Sequence, residues 1–421
     1  MFQKNIFAKI YFMATTLLYL VIAFILFEFV LTKTLSWLNM RTWDKPLPAE
    51  VKDLYDATEY KKARDYAVIN NKVGTISATL SLVITIGFLY FKGFAWADDM
   101  VRSYTTSPIL QCLFFFGILS LASAIISLPF EWYETFVIEE KYGFNKTTAL
   151  LYVTDKVKML ALSIVVGGGI LALLTFLFGL LGTNFWLAGW LLVSSISILV
   201  AMFYANVLLP IFNKLVPLEA GALRASIEKY ATQVQFPLTN ILVMDGSKRS
   251  TKANAFFSGL GHKKNIVLYD NLIHDMSIDE ITAVLAHEVG HYKKKHVLQS
   301  MVLSILQIGF LFFVFGLLAG NNVMAEVLGA KQNSFHLSLV TFSLLYSPVS
   351  LITGLLMNLF SRKNEYEADA YAKETYSAAH LISALRKLTV KHLGNLQPYS
   401  AYVFVNYSHP TFLQRMKSMQ D

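Results

Sequence analysis

The sequence predicts an α-helical polytopic membrane protein that carries a small polar α+β insert. Three observations support this prediction: the composition, the long apolar stretches and the distribution of basic residues. Of the 421 residues, 55% are hydrophobic and only 15% are charged, whereas a soluble domain contains roughly 25% charged residues. A chain this poor in charge is expected to use lipid as part of its solvent.

Seven apolar stretches are close to the length of about 20 residues that a helix needs to cross a bilayer. The first is too long and too aromatic for a cleaved signal peptide, and no small-residue cleavage site follows it. We therefore interpret all seven as transmembrane helices, spanning approximately residues 7–31, 74–93, 108–128, 157–182, 184–209, 298–320 and 335–360.

The basic residues set the predicted orientation, because cytoplasmic loops of membrane proteins are enriched in Lys and Arg. If the N-terminus lies outside, Arg102 and Lys331 are the only basic residues in the predicted outer loops. The net charge of +8 is spread over several loops and forms no single block, so we expect no nucleic acid partner. The inner segments, which hold 30 of the 36 Lys and Arg residues, are 32–73, 129–156, 210–297 and 361–421.

These spans divide the chain into four parts. We expect a five-helix membrane module (1–209), a cytoplasmic insert (210–297), two further transmembrane helices (298–360) and a cytoplasmic helical C-terminal part (361–421). Within the insert, hydrophobic periodicity and turn residues predict local structure. The predicted elements are a helix over 218–233, strands over 240–245, 254–259 and 265–270, and a turn over 259–261.

A further helix in the insert has a clear start signal. Ser277 and Glu280 form the pattern of a capping box, and Met276 and Ile281 are placed to form a hydrophobic staple. The helix is predicted to begin at Ser277 and to continue through His291.

This helix contains the sequence His-Glu-Val-Gly-His, in which His287 and His291 are four residues apart. Both imidazoles then project from one helix face and can bind one zinc ion without strain. Glu288 lies about 100° around the helix, where it can serve as general base towards a water molecule and then as general acid towards a leaving amine. Gly290 is expected to leave room for substrate backbone. The pattern predicts a zinc-dependent peptidase with one Zn²⁺ per chain.

A catalytic zinc site needs a third protein ligand and one open position. Directly after the last span, Glu365 and Asp369 share a helix face, and Glu367 lies on another. We predict Glu365 as the ligand and Asp369 as the acceptor that orients a ligand histidine. His296 lies five residues after His291, about 140° around a continuous helix. It is therefore predicted to point away from the site, in a basic headgroup rim with residues 293–295.

Several separated segments resemble the integral-membrane M48 metallopeptidases of the CAAX prenyl protease 1 (Ste24) type. The resemblance implies a chamber enclosed by the seven helices, Glu365 as third zinc ligand, and His409 and Asn254 near the substrate or transition state. It also implies that residues 254–259 pair with an extended peptide substrate. The matching segments are 129–136, 139–145, 210–214, 254–256, 286–291, 361–362, 365–370 and 408–410.

The resemblance also limits the expected partners and location. Eukaryotic relatives remove the last three residues of farnesylated CaaX proteins, so the substrate here is a peptide or protein that could be prenylated. The compact loops favour a bacterial inner membrane, with the endoplasmic reticulum as the eukaryotic alternative, and a cytoplasmic active site. We expect a lipid-embedded monomer.

The alternatives to a CaaX-processing peptidase are a quality-control protease of the HtpX type, a protein that binds lipidated peptides without cleaving them, and a transporter.

Overall fold

The structure is a computed structural model that describes residues 2–259 and 264–420, with side chains from residue 12 onward. Within this described part, six helical segments are long and apolar enough to cross a membrane. Five of them correspond to one predicted span each, with ends that differ from the prediction. They are built from α1 (Phe2–Met40), α2 (Ala57–Tyr90), α4 (Pro108–Tyr133), α12 (His296–Leu318) and α14 (Phe335–Thr375).

The remaining segment, Ala149–Phe212, contains two of the predicted spans. Its chain direction changes at Gly182, which has φ +56° and begins a three-residue turn; this left-handed backbone favours glycine. Leu174 before the turn and Phe185 after it are buried in the same apolar cluster. The two halves therefore pack against each other. The helices are α5 (Ala149–Leu162), α6 (Gly168–Leu181), α7 (Phe185–Phe203) and α8 (Leu209–Phe212).

The predicted outer side contains a buried polar cluster between the short helix α3 (Gly93–Tyr104) and the start of α14. Asp98 contacts His336 Nε2 through Oδ1 at 2.7 Å and accepts from Arg102 Nε at 2.8 Å. Asp98 and His336 are each 1% exposed. The His336 ring lies 4.6 Å from the ring of Phe115, so this cluster ties α3 and α4 to the first turn of α14.

The insert forms a four-stranded mixed sheet with strand order β1-β2-β4-β3. β2 and β4 are parallel, whereas β1 and β3 pair antiparallel to their neighbours. β3 therefore forms one edge of the sheet. The strands are β1 (Leu215–Pro217), β2 (Leu238–Met244), β3 (Ala255–Ser258) and β4 (Lys264–Tyr269).

The helices of the insert pack on this sheet through a core that includes Ile227, Ile266 and Leu285. The helix predicted over 218–233 begins four residues later, at Ala222. Leu218 is not helical because its backbone N–H donates to the carbonyl oxygen of Ile241 in β2. The predicted turn over 259–261 falls mostly outside the described residues. The helices are α9 (Ala222–Gln233), α10 (Asp270–Asp275) and α11 (Ile278–Lys293).

The C-terminal part folds back onto both the insert and the membrane module. Ala384 and Leu381 of this part lie in two apolar clusters of the insert, and Leu396 and Met416 lie in a cluster with Trp43. α14 continues well beyond the predicted end of the last span, so one helix runs from the membrane into the soluble part. The final helices are α13 (Val323–Glu326), α15 (Ala378–Lys391), α16 (Ser400–Asn406) and α17 (Phe412–Gln420).

Two cavities of about 420 and 330 Å³ lie among the membrane helices, and Glu28, Ser343 and Ser347 line both of them. Shared lining residues place the two cavities next to each other. Polar side chains inside a helical bundle are compatible with water in its interior. The single enclosed chamber implied by the resemblance stays a prediction.

Candidate active site

The helix α11 begins as its sequence predicts. Ser277 Oγ accepts from Glu280 N at 3.2 Å, and Glu280 Oε2 accepts from Ser277 N at 2.8 Å. These reciprocal bonds satisfy two of the N–H groups that a helix start leaves unpaired. Glu280 also accepts from Lys387 Nζ at 2.7 Å, which ties α11 to α15. The start of the helix is therefore fixed, and with it the direction in which His287 and His291 project.

Three donor groups form a triangle at the far end of α11. His287 Nε2 lies 3.1 Å from His291 Nε2. The two oxygens of the Glu365 carboxylate, on α14, face one histidine each: Oε2 lies 3.5 Å from His287 Nε2, and Oε1 lies 3.3 Å from His291 Nε2. Two atoms that share a zinc ion at about 2.0–2.1 Å with tetrahedral angles are about 3.3–3.4 Å apart. The three contacts between the donor groups are close to that length.

The protonation pattern of the triangle also favours a cation. The Nδ1 atoms of His287 and His291 each contact another side chain, which leaves the Nε2 lone pairs directed towards each other. Glu365 Oε2 is buried and makes no hydrogen bond to the described residues, and its nearest cation is Arg415 Nη1 at 3.4 Å. A buried acceptor without a hydrogen bond is costly. Two imidazole nitrogens and a carboxylate oxygen are a donor set that binds zinc.

Gly290 allows the two ligand-bearing helices to approach closely. A Cβ at this position would lie 3.0 Å from Ala368 Cα and 3.1 Å from Ala368 O. The prediction that Gly290 leaves room for substrate is therefore wrong, because the backbone of α14 occupies this space. The glycine instead brings Glu365 within reach of the two histidines.

His287 is held from behind by a buried ion pair. Its Nδ1–H donates to Asp369 Oδ1 at 2.8 Å, and Arg415 donates to both Asp369 oxygens at 2.6 and 2.8 Å. Asp369 is 1% and Arg415 8% exposed. Burial and the charge of Arg415 lower the pKa of His287, but the carboxylates of Asp369 and Glu365 outweigh them and raise it to about 9, so the surroundings of the ring favour positive charge. Because Asp369 accepts from Nδ1, Nε2 is the nitrogen that faces the triangle and can exchange its proton for a metal ion.

His296 lies against the second ligand, contrary to the sequence prediction. Its Nδ1 is 3.0 Å from His291 Nδ1, its Nε2 is 3.0 Å from Glu367 Oε2, and it is 3% exposed. The prediction is wrong because it assumed a continuous helix, whereas α11 ends at Lys293 and Lys295 has φ +60°. The chain turns back at this point and places His296 behind His291.

Glu288 occupies the place expected of a proton acceptor. It follows His287 on α11 and is half-buried, unlike its buried neighbours His287 and Val289. Burial raises the pKa of its carboxyl group. A carboxylate whose pKa moves towards neutrality is better matched to proton transfer at neutral pH. No described contact assigns Glu288 to the metal triangle, so it is free to act on a water molecule or a leaving group.

His409 reaches the same site from the C-terminal part. Its Nε2 lies 3.3 Å from Glu365 Oε1, and its side chain is 63% exposed. Arg362, three residues before Glu365 on α14, donates to the carbonyl oxygens of Val403, Phe404 and Tyr407 at the end of α16. The loop that carries His409 is therefore anchored to the helix that carries Glu365.

Asn254 lies immediately before β3 and is exposed. Its Oδ1 accepts from Ala255 N at 2.8 Å, and the described contacts do not connect it to the metal triangle. The structure thus brings the six other residues predicted for the site into one region. Asn254 lies at the start of the edge strand, and its role near the substrate stays a prediction.

This arrangement can perform hydrolysis of a polarised carbonyl. His287, His291 and Glu365 would hold a metal ion with three protein ligands and leave one position open, which distinguishes catalytic from structural zinc sites. Glu288 supplies a proton acceptor, and the exposed His409 lies at the edge of the site. A metal-assisted hydrolase is the chemistry that these groups support.

Comparisons with known proteins agree with this chemistry. The profile of the CAAX prenyl protease N-terminal domain, with five membrane helices, matches residues 36–214. The profile of peptidase family M48 matches residues 217–421.

Individual relatives resemble this chain over nearly its whole length. The CAAX prenyl protease 1 of Saccharomyces cerevisiae is 34% identical, and the alignment covers 91% of each chain. The homologue from Dictyostelium discoideum is 33% identical, with 89% of each chain covered. The crystal structure of S. mikatae Ste24p superposes with a TM-score of 0.90 at 33% identity, covering 96% of this chain and 98% of that one. The chain belongs to peptidase family M48 and is an integral-membrane metallopeptidase of the CAAX prenyl protease 1 type.

Proposed function

We propose that the metal of this peptidase is zinc, one ion per chain, bound by His287, His291 and Glu365. The observation that carries the proposal is the triangle of donor groups, whose closest contacts of 3.1, 3.3 and 3.5 Å suit a tetrahedral ion. The buried Glu365 Oε2, which makes no hydrogen bond to the described residues, supports it. When bound, zinc would supply a Lewis acid that acidifies water and polarises the scissile carbonyl.

The protein's own residues perform the proton transfers. Glu288 accepts the proton of the attacking water and passes it to the nitrogen of the leaving amine. Asp369 and Arg415 hold His287 in one tautomer throughout. His409, beside Glu365 and exposed, is placed to donate a hydrogen bond to the developing oxyanion.

The substrate is a peptide, and we propose that it binds in an extended conformation. β3 is an edge strand, so its free side can add a further strand by main-chain hydrogen bonds, which recognise backbone more than sequence. Asn254, at the start of β3, would then contact the substrate near one end of that strand. The names of the relatives favour a prenylated CaaX substrate.

The active site is proposed to face the cytoplasm, since it is built from the inner segments in which the Lys and Arg residues concentrate. The bacterial inner membrane and the endoplasmic reticulum stay predictions for a bacterial and a eukaryotic host respectively. A monomer with membrane lipid around its apolar helices, and no nucleic acid partner, completes the proposal.

Product analysis tests this function. Farnesylated and unmodified CaaX peptides are incubated with wild-type protein and with Glu288→Gln, and the products are identified by mass spectrometry. We expect wild type to release the C-terminal tripeptide from the farnesylated peptide and Glu288→Gln to release none. Equal cleavage of both peptides would indicate a quality-control protease of the HtpX type, and binding without cleavage would indicate a lipopeptide-binding protein.

A further inference from the structure

The two histidines of the metal triangle are supported in different ways. His287 Nδ1 contacts a carboxylate, which is a common partner of ligand histidines in zinc sites. His291 Nδ1 instead contacts another imidazole, that of His296, at 3.0 Å. His296 lies outside the His-Glu-Val-Gly-His sequence, and no step of the mechanism above uses it.

The backbone brings His296 to this position at a conformational cost. Lys295 adopts φ +60°, ψ +28°, a left-handed conformation that is unfavourable for a non-glycine residue. This turn separates α11 from α12 and directs the first side chain of α12 back towards α11. The rings of His291 and His296 then lie 5.1 Å apart at an angle of 74°.

The polar atoms form a directed chain. With His291 Nε2 facing the triangle, the neutral ring carries its proton on Nδ1, which donates to His296 Nδ1. His296 then carries its own proton on Nε2, which donates to Glu367 Oε2 at 3.0 Å. One tautomer of each ring satisfies every contact. Lys363 Nζ lies 3.7 Å from the other oxygen of Glu367, so the chain ends at a partly solvated ion pair.

The hydrogen-bond chain from His291 through His296 to Glu367 resembles the one from His287 to Asp369 and Arg415, since each ends in an ion pair. The two chains differ in how deeply their charged groups are buried. Asp369 and Arg415 are 1% and 8% exposed, whereas the Glu367 side chain is 39% exposed. His296 itself is 3% exposed, so its two polar nitrogens need these partners. The carboxylates of both chains, Asp369 and Glu367, lie on α14, the helix that also carries Glu365.

We propose that His296, oriented by Glu367, is a positioning residue that fixes the tautomer and ring direction of the metal ligand His291. This inference rests on the proposed zinc site. Its expected consequence is tighter zinc binding, because partners of ligand histidines typically contribute 10–100-fold in metal affinity.

The test measures zinc affinity by chelator competition on the full-length, detergent-solubilised protein, after removal and return of the metal. The variant His296→Phe keeps a ring of similar size and removes both hydrogen bonds. We expect a 10–100-fold weaker zinc affinity for it. His296→Gln retains an amide acceptor and donor and should lose less affinity than His296→Phe. Glu367→Gln, at the solvated end, should lose less again.

His336→Phe is the matched control. His336 is also a buried histidine that contacts a carboxylate, but it lies at the other end of α14. Its replacement should lower the thermal unfolding temperature and leave zinc affinity unchanged. The unfolding temperature of metal-free His296→Phe is measured alongside, so that loss of fold is distinguished from loss of metal.

A graded loss of zinc affinity, largest for His296→Phe and absent for His336→Phe, supports the proposal. Wild-type affinity in His296→Phe overturns it, as does an equal loss in His296→Gln and His296→Phe, because packing alone would then be responsible. If the wild-type protein itself binds no zinc, the proposed function fails, and this outcome is distinct from a failure of the variants.

Discussion

The two ends of α14 hold buried clusters made of the same three residue types. At its N-terminal end, the predicted outer end, His336 contacts Asp98 at 2.7 Å, and Asp98 accepts from Arg102 at 2.8 Å. At its C-terminal end, the predicted inner end, His287 donates to Asp369 at 2.8 Å, and Asp369 accepts from Arg415 at 2.6 and 2.8 Å. Side-chain chemistry alone therefore cannot separate a structural cluster from a catalytic one.

The difference lies in which imidazole nitrogen is engaged and in what surrounds the other nitrogen. His336 uses Nε2 for both Asp98 and Ser334, and its ring packs on Phe115. His287 engages Nδ1 and directs Nε2 at a second imidazole and a carboxylate. A buried His–Asp–Arg cluster becomes a metal site only where further ligands meet the free nitrogen.

The largest expected effect comes from a residue that only the inner end possesses. Glu288→Gln removes the proton acceptor but none of the three ligands. We expect kcat/KM for peptide cleavage to fall by about 10²–10⁴-fold while bound zinc is unchanged, as measured by kinetics and metal analysis on the same sample. Cleavage near the wild-type rate would show that another group is the base.

Asp369→Asn weakens the inner cluster without removing a ligand. The amide oxygen can still accept from His287, but its charge is lost and Arg415 is left without its bidentate partner. We expect a 10–100-fold weaker zinc affinity, by chelator competition. An unchanged affinity would mean that Asp369 serves only the fold.

Asp98→Asn is the same substitution at the outer end. Breaking a buried ion pair typically costs about 3–5 kcal/mol, so we expect a lower thermal unfolding temperature. Zinc affinity should remain at the wild-type value, because Asp98 contacts no residue of the metal triangle. If the two Asp→Asn variants lose zinc equally, the distinction between the two ends of α14 is wrong.

The smallest effect is expected from Arg362→Ala. Arg362 donates to three carbonyl oxygens at the end of α16, so its loss loosens the loop that carries His409. We expect kcat/KM to fall by about tenfold, less than the 10²-fold that misplacement of a reacting group by about 1 Å can cost. Zinc content should not change. A loss of zinc in this variant would indicate that Arg362 supports Glu365 rather than His409.

Local patterns in the sequence were sufficient to predict much of the fold. The composition, the apolar stretches and the capping box at Ser277 and Glu280 are local signals. The structure reproduces the position of every predicted span, although several helices extend well beyond it, and it reproduces the start of α11 within one residue. Predicted strands differ from β2, β3 and β4 by one or two residues at their ends. The proximity of Glu365 to the two histidines was also predictable from the sequence, because both segments directly adjoin spans and were predicted to lie on the same side of the membrane.

The remaining parts of the site depend on tertiary structure. Arg415 is 46 residues from Asp369 in the chain, and no local pattern distinguishes it from the other basic residues of the C-terminal part. His296 was misplaced because a left-handed residue, Lys295, interrupts the helix, and lysine gives no sign of that conformation. Gly290 was assigned to the substrate because the sequence cannot show the backbone of Ala368 beside it.

The most direct test of this account is the zinc content of the purified protein prepared without chelators. Wild type and Asp98→Asn are predicted to contain one zinc per chain, and Glu365→Ala, which removes the third ligand, is predicted to contain much less. Absence of zinc from fresh wild-type protein, or full zinc occupancy in Glu365→Ala, would contradict the assignment of the metal to His287, His291 and Glu365.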